Sequence, residues 1–220
     1  MRTFLVDDHA LLVGIMARWL RIIPSVEYAG HAENGADALK FLDSHPVDLL
    51  ITDLRMPGMR GEELIATATS RMPELKVMVL SAYCTPFIVQ QLSSLDIQAF
   101  LEKNCTMDEF AAVLESLAAG GRFYSAHYRQ ILGDIHGHRD SAFNILGKKE
   151  IAVLRALASG ESDQEVAEHL HITEATVQSH SRNIRHKLGL HNRIDLMRYA
   201  WTWGLADPSP LQESAGKPEK

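Results

Sequence analysis

The stretch "LLITDLRMPG", residues 49–58, joins the pattern of a buried strand to a sharp turn. Leu49, Leu50 and Ile51 form a short apolar run, and the dipeptide Pro57-Gly58 is a turn signal. Asp53 stands between them, although a strand that packs inside a core has no use for a charge at its end. The stretch therefore predicts a β-strand that ends on a functional carboxylate, which we expect to be exposed at the strand tip.

Strands and helices alternate on both sides of this stretch. Apolar runs of strand length occur at 3–6, 26–32, 47–53, 76–82 and 99–103, and helical patterns occur at 11–21, 35–42, 61–70, 86–95 and 106–119. Near-continuous apolar strands that alternate with helices indicate a parallel sheet covered on both faces. Residues 1–121 are therefore predicted to form a doubly wound (βα)5 domain.

The remainder of the chain has a different character. Residues 122–145 are rich in polar residues and glycine and predict a linker, and residues 207–220 predict a disordered tail. Residues 146–206 show no strand pattern but contain helix-capping signals at Ser162, Thr173 and Asn192. We expect a four-helix domain here, so the predicted fold class is α/β plus all-α.

Composition and charge limit the function classes. The chain has 220 residues and a net charge of −6, and it has no apolar run long enough to span a membrane. Cys84 and Cys105 have neither metal-ligand spacing nor the pattern of a disulfide framework, which is typical of a reducing cytoplasm. Residues 1–121 hold 9 basic and 16 acidic residues, whereas residues 175–194 hold no acidic residue. This asymmetry predicts a cation-bearing face on the second domain.

Polar residues follow four of the predicted strands. Asp7 and Asp8 come after the first, Asp53 ends the third, Ser81 ends the fourth and Lys103 ends the fifth. The carboxyl ends of parallel strands form the binding crevice of an open α/β sheet. Three carboxylates in one crevice repel one another unless a cation lies among them, and hard oxygen ligands suit Mg²⁺. A hydroxyl and a lysine beside them suit a metal-bound phosphoryl group.

Over residues 1–120 the chain resembles the receiver domain of two-component response regulators. The resemblance implies that a sensor histidine kinase phosphorylates Asp53. It also implies Mg²⁺ binding by Asp7, Asp8, Asp53 and the backbone carbonyl of Arg55. The implied phosphate-contacting and switch residues are Ser81, Lys103 and Phe100, of which Phe100 would repack inward. Asn104 stands where many receivers have proline.

Residues 146–200, which contain "ESDQEVAEHLHITEATVQSHSRNIRHKLGL" at 161–190, resemble the LuxR-type helix-turn-helix. The order of the two domains is that of the NarL/FixJ class, whose second helix of the motif enters the major groove of DNA. By resemblance, Gln178, Ser179 and Arg182 would face bases. The residues expected at phosphates are Thr176, Asn183, Lys187 and Arg193. The family usually has lysine at position 178, so this departure puts the usual base preference in doubt.

The last predicted helix carries four apolar residues that the resemblance assigns to a dimer seam: Leu196, Tyr199, Ala200 and Trp203. A homodimer would match two-fold symmetric promoter sites in double-stranded DNA. The implied protein is a cytoplasmic transcription factor, with RNA polymerase as a further candidate partner and no membrane association.

The sequence also allows three alternative functions. A phosphatase with a strand-tip nucleophile usually needs an acid two residues later, where this chain has Arg55, and no P-loop motif occurs. A regulator of the same architecture could answer to a ligand or partner with its phosphorylation idle. The helical domain could bind a protein instead of DNA, which the acid-free segment 175–194 disfavours.

Overall fold

A computed structural model describes residues 1–137 and 145–206. The chain folds into two compact units, the first formed by Met1–Cys84 and Gln91–Gln130 and the second by Thr85–Gln90 and the residues from Ile131 onward. The predicted disordered tail, 207–220, lies outside the described residues. Within the described ranges, no helix combines the length and apolar character that a membrane span requires.

The first unit contains a parallel sheet. Its strands are β1 (Arg2–Val6), β2 (Glu27–Ala32), β3 (Leu49–Thr52), β4 (Lys76–Ser81), β5 (Ala99–Glu102) and β6 (Phe123–Tyr124). They pair in the order β2-β1-β3-β4-β5-β6, and every pair is parallel. The predicted doubly wound sheet is confirmed.

Along the chain, helices follow these strands, one after each. They are α1 (Ala10–Ile22), α2 (Gly35–Ser44), α3 (Gly61–Arg71), α4 (Pro86–Leu92), α5 (Met107–Ala118) and α6 (Ala126–Gly137). Leu5 and Ile51 point into one core with α1 and α5, whereas Phe4 and Leu50 point into a second core with α2 and α3. The alternation follows from the two-residue period of a strand, and it explains why the strands are apolar on both sides.

The segment predicted as linker, 122–145, contains regular structure. Phe123 and Tyr124 add β6 to the sheet edge, and α6 follows from Ala126. A two-residue strand is too short to produce a periodic pattern, so sequence reasoning found only five strands. The backbone N–H of Phe123 donates to Gln98 and that of Ser125 to Phe100, which fixes this edge strand.

The second unit contains the helices α7 (Lys148–Ala158), α8 (Asp163–His169), α9 (Glu174–Leu188) and α10 (Arg193–Thr202). The predicted caps form: Ser162, Thr173 and Asn192 each accept a hydrogen bond from a backbone N–H in the first turn. Between α8 and α9, His171 adopts a positive φ of 54°. The tight turn of a helix-turn-helix therefore includes a left-handed residue that is not glycine.

Candidate functional site

The first candidate site lies at the carboxyl ends of β1 and β3. Val6 and Thr52 are register partners, and the backbone N–H of Asp53 donates to the Val6 carbonyl at 2.9 Å. Asp7 and Asp53 therefore leave adjacent strands side by side. The strand order reverses between β1 and β3, and such a switch point is where open α/β sheets bind ligands.

Lys103 links the two carboxylates. Its Nζ lies 2.7 Å from Asp7 Oδ2 and 2.9 Å from Asp53 Oδ2, and its side chain is 12% exposed. Burial alone would lower the pKa of Lys103, but the hydrogen bonds and charges of Asp7 and Asp53 outweigh it. The pKa of Lys103 therefore lies above its usual value, and the ammonium is charged at neutral pH.

Asp53 is buried, with 4% of its surface exposed. The expectation of an exposed carboxylate at the strand tip is wrong, because Lys103 occupies the space above one oxygen. The other oxygen, Oδ1, accepts the backbone N–H of Leu54 at 2.7 Å. The position of Asp53 at the strand end agrees with the prediction, but its carboxylate is buried and not exposed as predicted.

Asp8 and His9 complete a group of potential metal ligands. One ligand atom from each of Asp7, Asp8, His9 and Asp53 lies within 4.8 Å of the others. Among the residues that the structure describes, Asp8 Oδ1 is buried without a hydrogen-bond partner, although His9 Nδ1 lies 2.9 Å from it. Clustered carboxylate oxygens, one of them unsatisfied, fit a hard cation such as Mg²⁺. Sequence reasoning missed His9, and its place beside the acidic pair was the available signal.

Ser81 and the loops around it form the opposite side of this site. Ser81 is buried, and its hydroxyl oxygen accepts the backbone N–H of Tyr83 at 3.2 Å. The Arg55 guanidinium lies 4.7 Å from the centre of the Tyr83 ring, which joins the loop after β3 to the loop after β4. The metal-binding role of the Arg55 backbone carbonyl stays a prediction.

Gly61 allows α3 to begin against the strand end. A Cβ at this position would lie 2.1 Å from the Asp53 carbonyl oxygen and 2.7 Å from Leu54 Cα. Both neighbours are backbone atoms and cannot turn aside. The Gly61 N–H donates to the Leu54 carbonyl at 3.0 Å, so glycine holds the backbone around Asp53 in place.

Phe100 is fully buried in this structure. Its ring centroid lies 4.8 Å from that of Tyr128, which in turn stacks on Tyr124 at 5.3 Å. The expected inward movement therefore does not apply to this conformation, because the ring is already inside. A switch role for Phe100 stays a prediction and would require rearrangement within the interior.

The second candidate site is the outer face of α9. The residues expected at bases, Gln178, Ser179 and Arg182, are exposed, as is Asn183, while Thr176 is half-buried. Thr176 shares a hydrogen bond with the capping Thr173 at 2.8 Å. The structure brings the expected base-contacting residues to one surface, and their role stays a prediction.

Lys187 and Arg193 are held by ion pairs within the second unit. Lys187 Nζ lies 2.8 Å from Glu150 Oε2, and an Arg193 nitrogen lies 2.9 Å from Asp163 Oδ1. Burial would raise the pKa of Glu150, but Lys187 and the backbone N–H of Gly147 lower it by more. The expected phosphate contacts of Lys187 and Arg193 stay predictions. Both side chains also have a structural role, because each forms an ion pair within the unit.

The predicted dimer seam is corrected in part. Leu196 and Ala200 are fully buried in the core of their own unit and are not available to a second chain. Tyr199 and Trp203 are half-buried, with ring centroids 6.0 Å apart. Ile194, which sequence reasoning did not select, is 66% exposed on the same helix.

Comparison with known proteins agrees with this architecture. The family model described as "Response regulator receiver domain" matches residues 3–115, and "Bacterial regulatory proteins, luxR family" matches residues 144–200. The transcriptional regulatory protein UhpA of Escherichia coli K12 is 30% identical over 88% of this chain and 94% of its own. The probable transcriptional regulatory protein NarL of Mycobacterium tuberculosis H37Rv is 30% identical over 91% of this chain and 94% of its own.

A solved structure agrees over nearly the full length. RcsB from Salmonella enterica serovar Typhimurium, bound to promoter P1flhDC in the presence of the phosphomimetic BeF3⁻, has a TM-score of 0.66 and 28% identity. The match covers 92% of this chain and 98% of RcsB. UhpA is named as a transcriptional regulatory protein and NarL as a probable one. The chain belongs to the NarL/FixJ class of two-component response regulators, with a receiver domain followed by a LuxR-type DNA-binding domain.

Proposed function

We propose that a sensor histidine kinase phosphorylates Asp53 in a Mg²⁺-dependent reaction, and that the phosphorylated chain binds promoter DNA as a homodimer. The observation that carries the proposal is the pairing of Lys103 with both Asp53 and Asp7 at 2.9 and 2.7 Å. One buried ammonium beside a strand-end carboxylate suits a site at which negative charge is added. The regulator would act in the cytoplasm, and RNA polymerase is a further candidate partner.

Mg²⁺ would be held by Asp7, Asp8 and Asp53, with the backbone carbonyl of Arg55 as the fourth protein ligand. Asp8 Oδ1 supports this assignment, because it is buried and accepts no hydrogen bond from the described part of the chain, which is unfavourable for a carboxylate oxygen. When bound, the ion supplies charge neutralisation for the carboxylates and for the transferred phosphoryl group.

The residues of the chain have separate tasks in phosphoryl transfer. An Asp53 oxygen forms the new O–P bond while the N–P bond of a phosphohistidine breaks, with the two bonds in line. Lys103 already lies at Asp53 and can pair with the phosphoryl oxygens without a large movement. Ser81 uses its oxygen to accept the Tyr83 N–H, so its hydroxyl hydrogen is available to donate to the phosphoryl group.

The proposed output surface is the exposed face of α9. Arg182 is exposed, and its guanidinium forms no ion pair with any residue that the structure describes. Such an arginine can donate two hydrogen bonds to guanine in the major groove. The absence of acidic residues from 175 to 194 favours approach to phosphate.

Phosphorylation is tested by intact mass after incubation with acetyl phosphate and Mg²⁺. We expect the wild type to gain one phosphoryl group and Asp53→Asn to gain none, with the gain abolished by prior addition of EDTA. Asp43→Asn is the matched control, because Asp43 is a surface carboxylate paired with Arg71 at 2.9 Å. No gain in the wild type, or an equal gain in Asp53→Asn, would contradict the proposal and favour a regulator that answers to a ligand or partner.

DNA binding is tested with a random-sequence duplex at several salt concentrations, before and after phosphorylation. We expect an affinity that falls steeply with salt and a dimer in sedimentation of the phosphorylated chain. At a specific DNA site, selected from the random-sequence duplexes by its affinity for the wild type, Arg182→Gln should weaken binding by about 1–3 kcal/mol. Arg198→Gln on α10 should not weaken it. Binding that does not depend on salt, or an equal loss in both variants, would count against this surface.

A further inference from the structure

Cys84, Glu102 and His127 form a second group of potential metal ligands, apart from the phosphoacceptor site. One ligand atom from each lies within 4.8 Å of the other two. Cys84 lies in the loop after β4, Glu102 ends β5, and His127 is in the first turn of α6. All three belong to the first compact unit.

The fold brings these three segments together by backbone pairing. Ser81 and Glu102 are register partners at the ends of β4 and β5, so the chain leaving β4 passes Glu102 within three residues. On the other side of β5, the Ser125 N–H donates to the Phe100 carbonyl at 3.1 Å. The Ser125 hydroxyl donates to Glu102 Oε1 at 3.1 Å, just before α6 presents His127.

The three side chains offer sulfur, nitrogen and oxygen as ligand atoms, and this combination favours one class of metal ion over another. A cysteine sulfur, an imidazole nitrogen and a carboxylate oxygen are the ligands of tetrahedral Zn²⁺ sites, whereas Mg²⁺ takes oxygen ligands. Ligand distances of about 2.0–2.3 Å place tetrahedral donor atoms roughly 3.5 Å apart. The present separations of 4.8 Å or less require only a small contraction around an ion.

The surroundings also suit a metal site. Ser125 orients the Glu102 carboxylate from outside the ligand group, as partners of metal ligands commonly do. His127 Nδ1 lies 3.5 Å from Glu102 Oε1, and the two side chains are 59% and 21% exposed. Solvent therefore reaches the group from one side, which provides an entry path and room for a water ligand.

We propose that Cys84, Glu102 and His127 bind a zinc-class divalent cation, with water in the fourth position. The inference does not depend on phosphorylation of Asp53. Binding replaces the thiol proton of Cys84, which is released to solvent, by the metal. The ion would connect the loop that follows Ser81 to β5 and α6.

The test uses Co²⁺ as a spectroscopic probe on the full, untagged chain after reduction and removal of EDTA. Thiolate coordination gives a ligand-to-metal absorption band, and we expect it to saturate at one Co²⁺ per chain and to disappear when Zn²⁺ is added. Cys84→Ser should abolish the band. Cys105→Ser is the matched control, because it removes the other half-buried cysteine of the same unit and should leave the band intact. Asp53→Asn should also retain it.

His127→Gln and Glu102→Gln provide variants that do not remove the thiol. Each should weaken Co²⁺ binding by about tenfold or more, since loss of even an outer partner costs that much. Thermal unfolding of the metal-free variants checks that they fold, and His127 is mostly exposed and tolerant. Absence of the band in the reduced wild type would overturn the proposal. So would a band that survives Cys84→Ser, or an affinity for Co²⁺ that His127→Gln leaves unchanged.

Discussion

Replacement of Lys103 by methionine tests the charge arrangement of the receiver site. Methionine retains most of the length and apolar surface of the lysine stem but removes the ammonium that bridges Asp7 and Asp53. Both carboxylates are at most 5% exposed as side chains, so neither can be rescued by water. We expect Lys103→Met to destabilise the receiver strongly in the absence of Mg²⁺.

The magnitude follows from burial. Loss of one partner from a buried ion pair costs about 3–5 kcal/mol, whereas a surface pair contributes about 0–1 kcal/mol. Lys40 and Asp37 form a surface pair at the same 2.7 Å as Lys103 and Asp7, but their side chains are 77% and 56% exposed. Lys40→Met is therefore a control matched in chemistry and distance that differs in burial.

The assay is urea unfolding in which hydrogen exchange of individual peptides reports the unfolding of each region. Separate peptides are needed because a two-domain chain does not unfold in one step. With EDTA, the midpoint of β3 and β5 peptides should fall by about 1–3 M in Lys103→Met and by much less in Lys40→Met. Mg²⁺ at about a hundredfold above its Kd should restore about 2.7 kcal/mol to Lys103→Met. Its effect on the wild type should be smaller, because Lys103 opposes the ion there.

Two results would refute this reasoning. If Lys103→Met loses no more stability than Lys40→Met, the burial of the pair does not determine its contribution. If Mg²⁺ stabilises the wild type and Lys103→Met equally, the ammonium and the ion do not share the same carboxylates.

Three further predictions concern other positions. Gly61→Ala should lower receiver stability by about 1–3 kcal/mol in urea unfolding and should slow phosphorylation, because its Cβ would meet the Asp53 carbonyl. The pKa of Glu150 in the folded chain is lowered from its ordinary value of 4.5, so its ionised carboxylate stabilises the second unit fully above pH 4.5. This stabilisation is lost as the pH falls through the lowered pKa. Thermal melts from pH 7 to 3 should show that loss. Glu150→Gln should reduce the slope without abolishing it, because the pKa of Glu165 in the same unit is also lowered by its hydrogen bonds with Ser162. Gln178→Lys should steepen the salt dependence of DNA binding by about one unit, measured by titration at several salt concentrations.

The sequence predicted the position of the receiver site because strand ends are visible in it. Asp7, Asp53, Ser81 and Lys103 each follow an apolar run, and a parallel sheet brings such ends to one edge. The burial of Asp53 could not be predicted in the same way, since it depends on where the Lys103 side chain comes to rest. The residues next to Asp53 in the sequence do not indicate that the Lys103 ammonium, 50 positions further along the chain, covers its carboxylate.

In the helical domain too, the sequence did not predict which side chains are buried or paired. An amphipathic α10 presents the same apolar pattern whether it covers its own core or a partner, and Leu196 and Ala200 prove to belong to their own core. The partners of Lys187 and Arg193, Glu150 and Asp163, lie far away in sequence. Caps at helix starts were predictable because their hydrogen bonds span only three residues.

Charge balance connects the site geometry with the proposed chemistry. Asp7, Asp8 and Asp53 contribute three negative charges when ionised, and Lys103 contributes one positive charge at 2.7–2.9 Å. The remaining two negative charges equal the charge of one divalent cation in magnitude, and Lys103 forms ion pairs with Asp7 and Asp53. A phosphoryl group on Asp53 would add negative charge, so the pairing of Lys103 must then shift from the carboxylates toward the new oxygens. Because Lys103 follows Glu102 and its N–H is bonded to the Ser81 carbonyl at 2.9 Å, such a shift acts directly on β4 and β5.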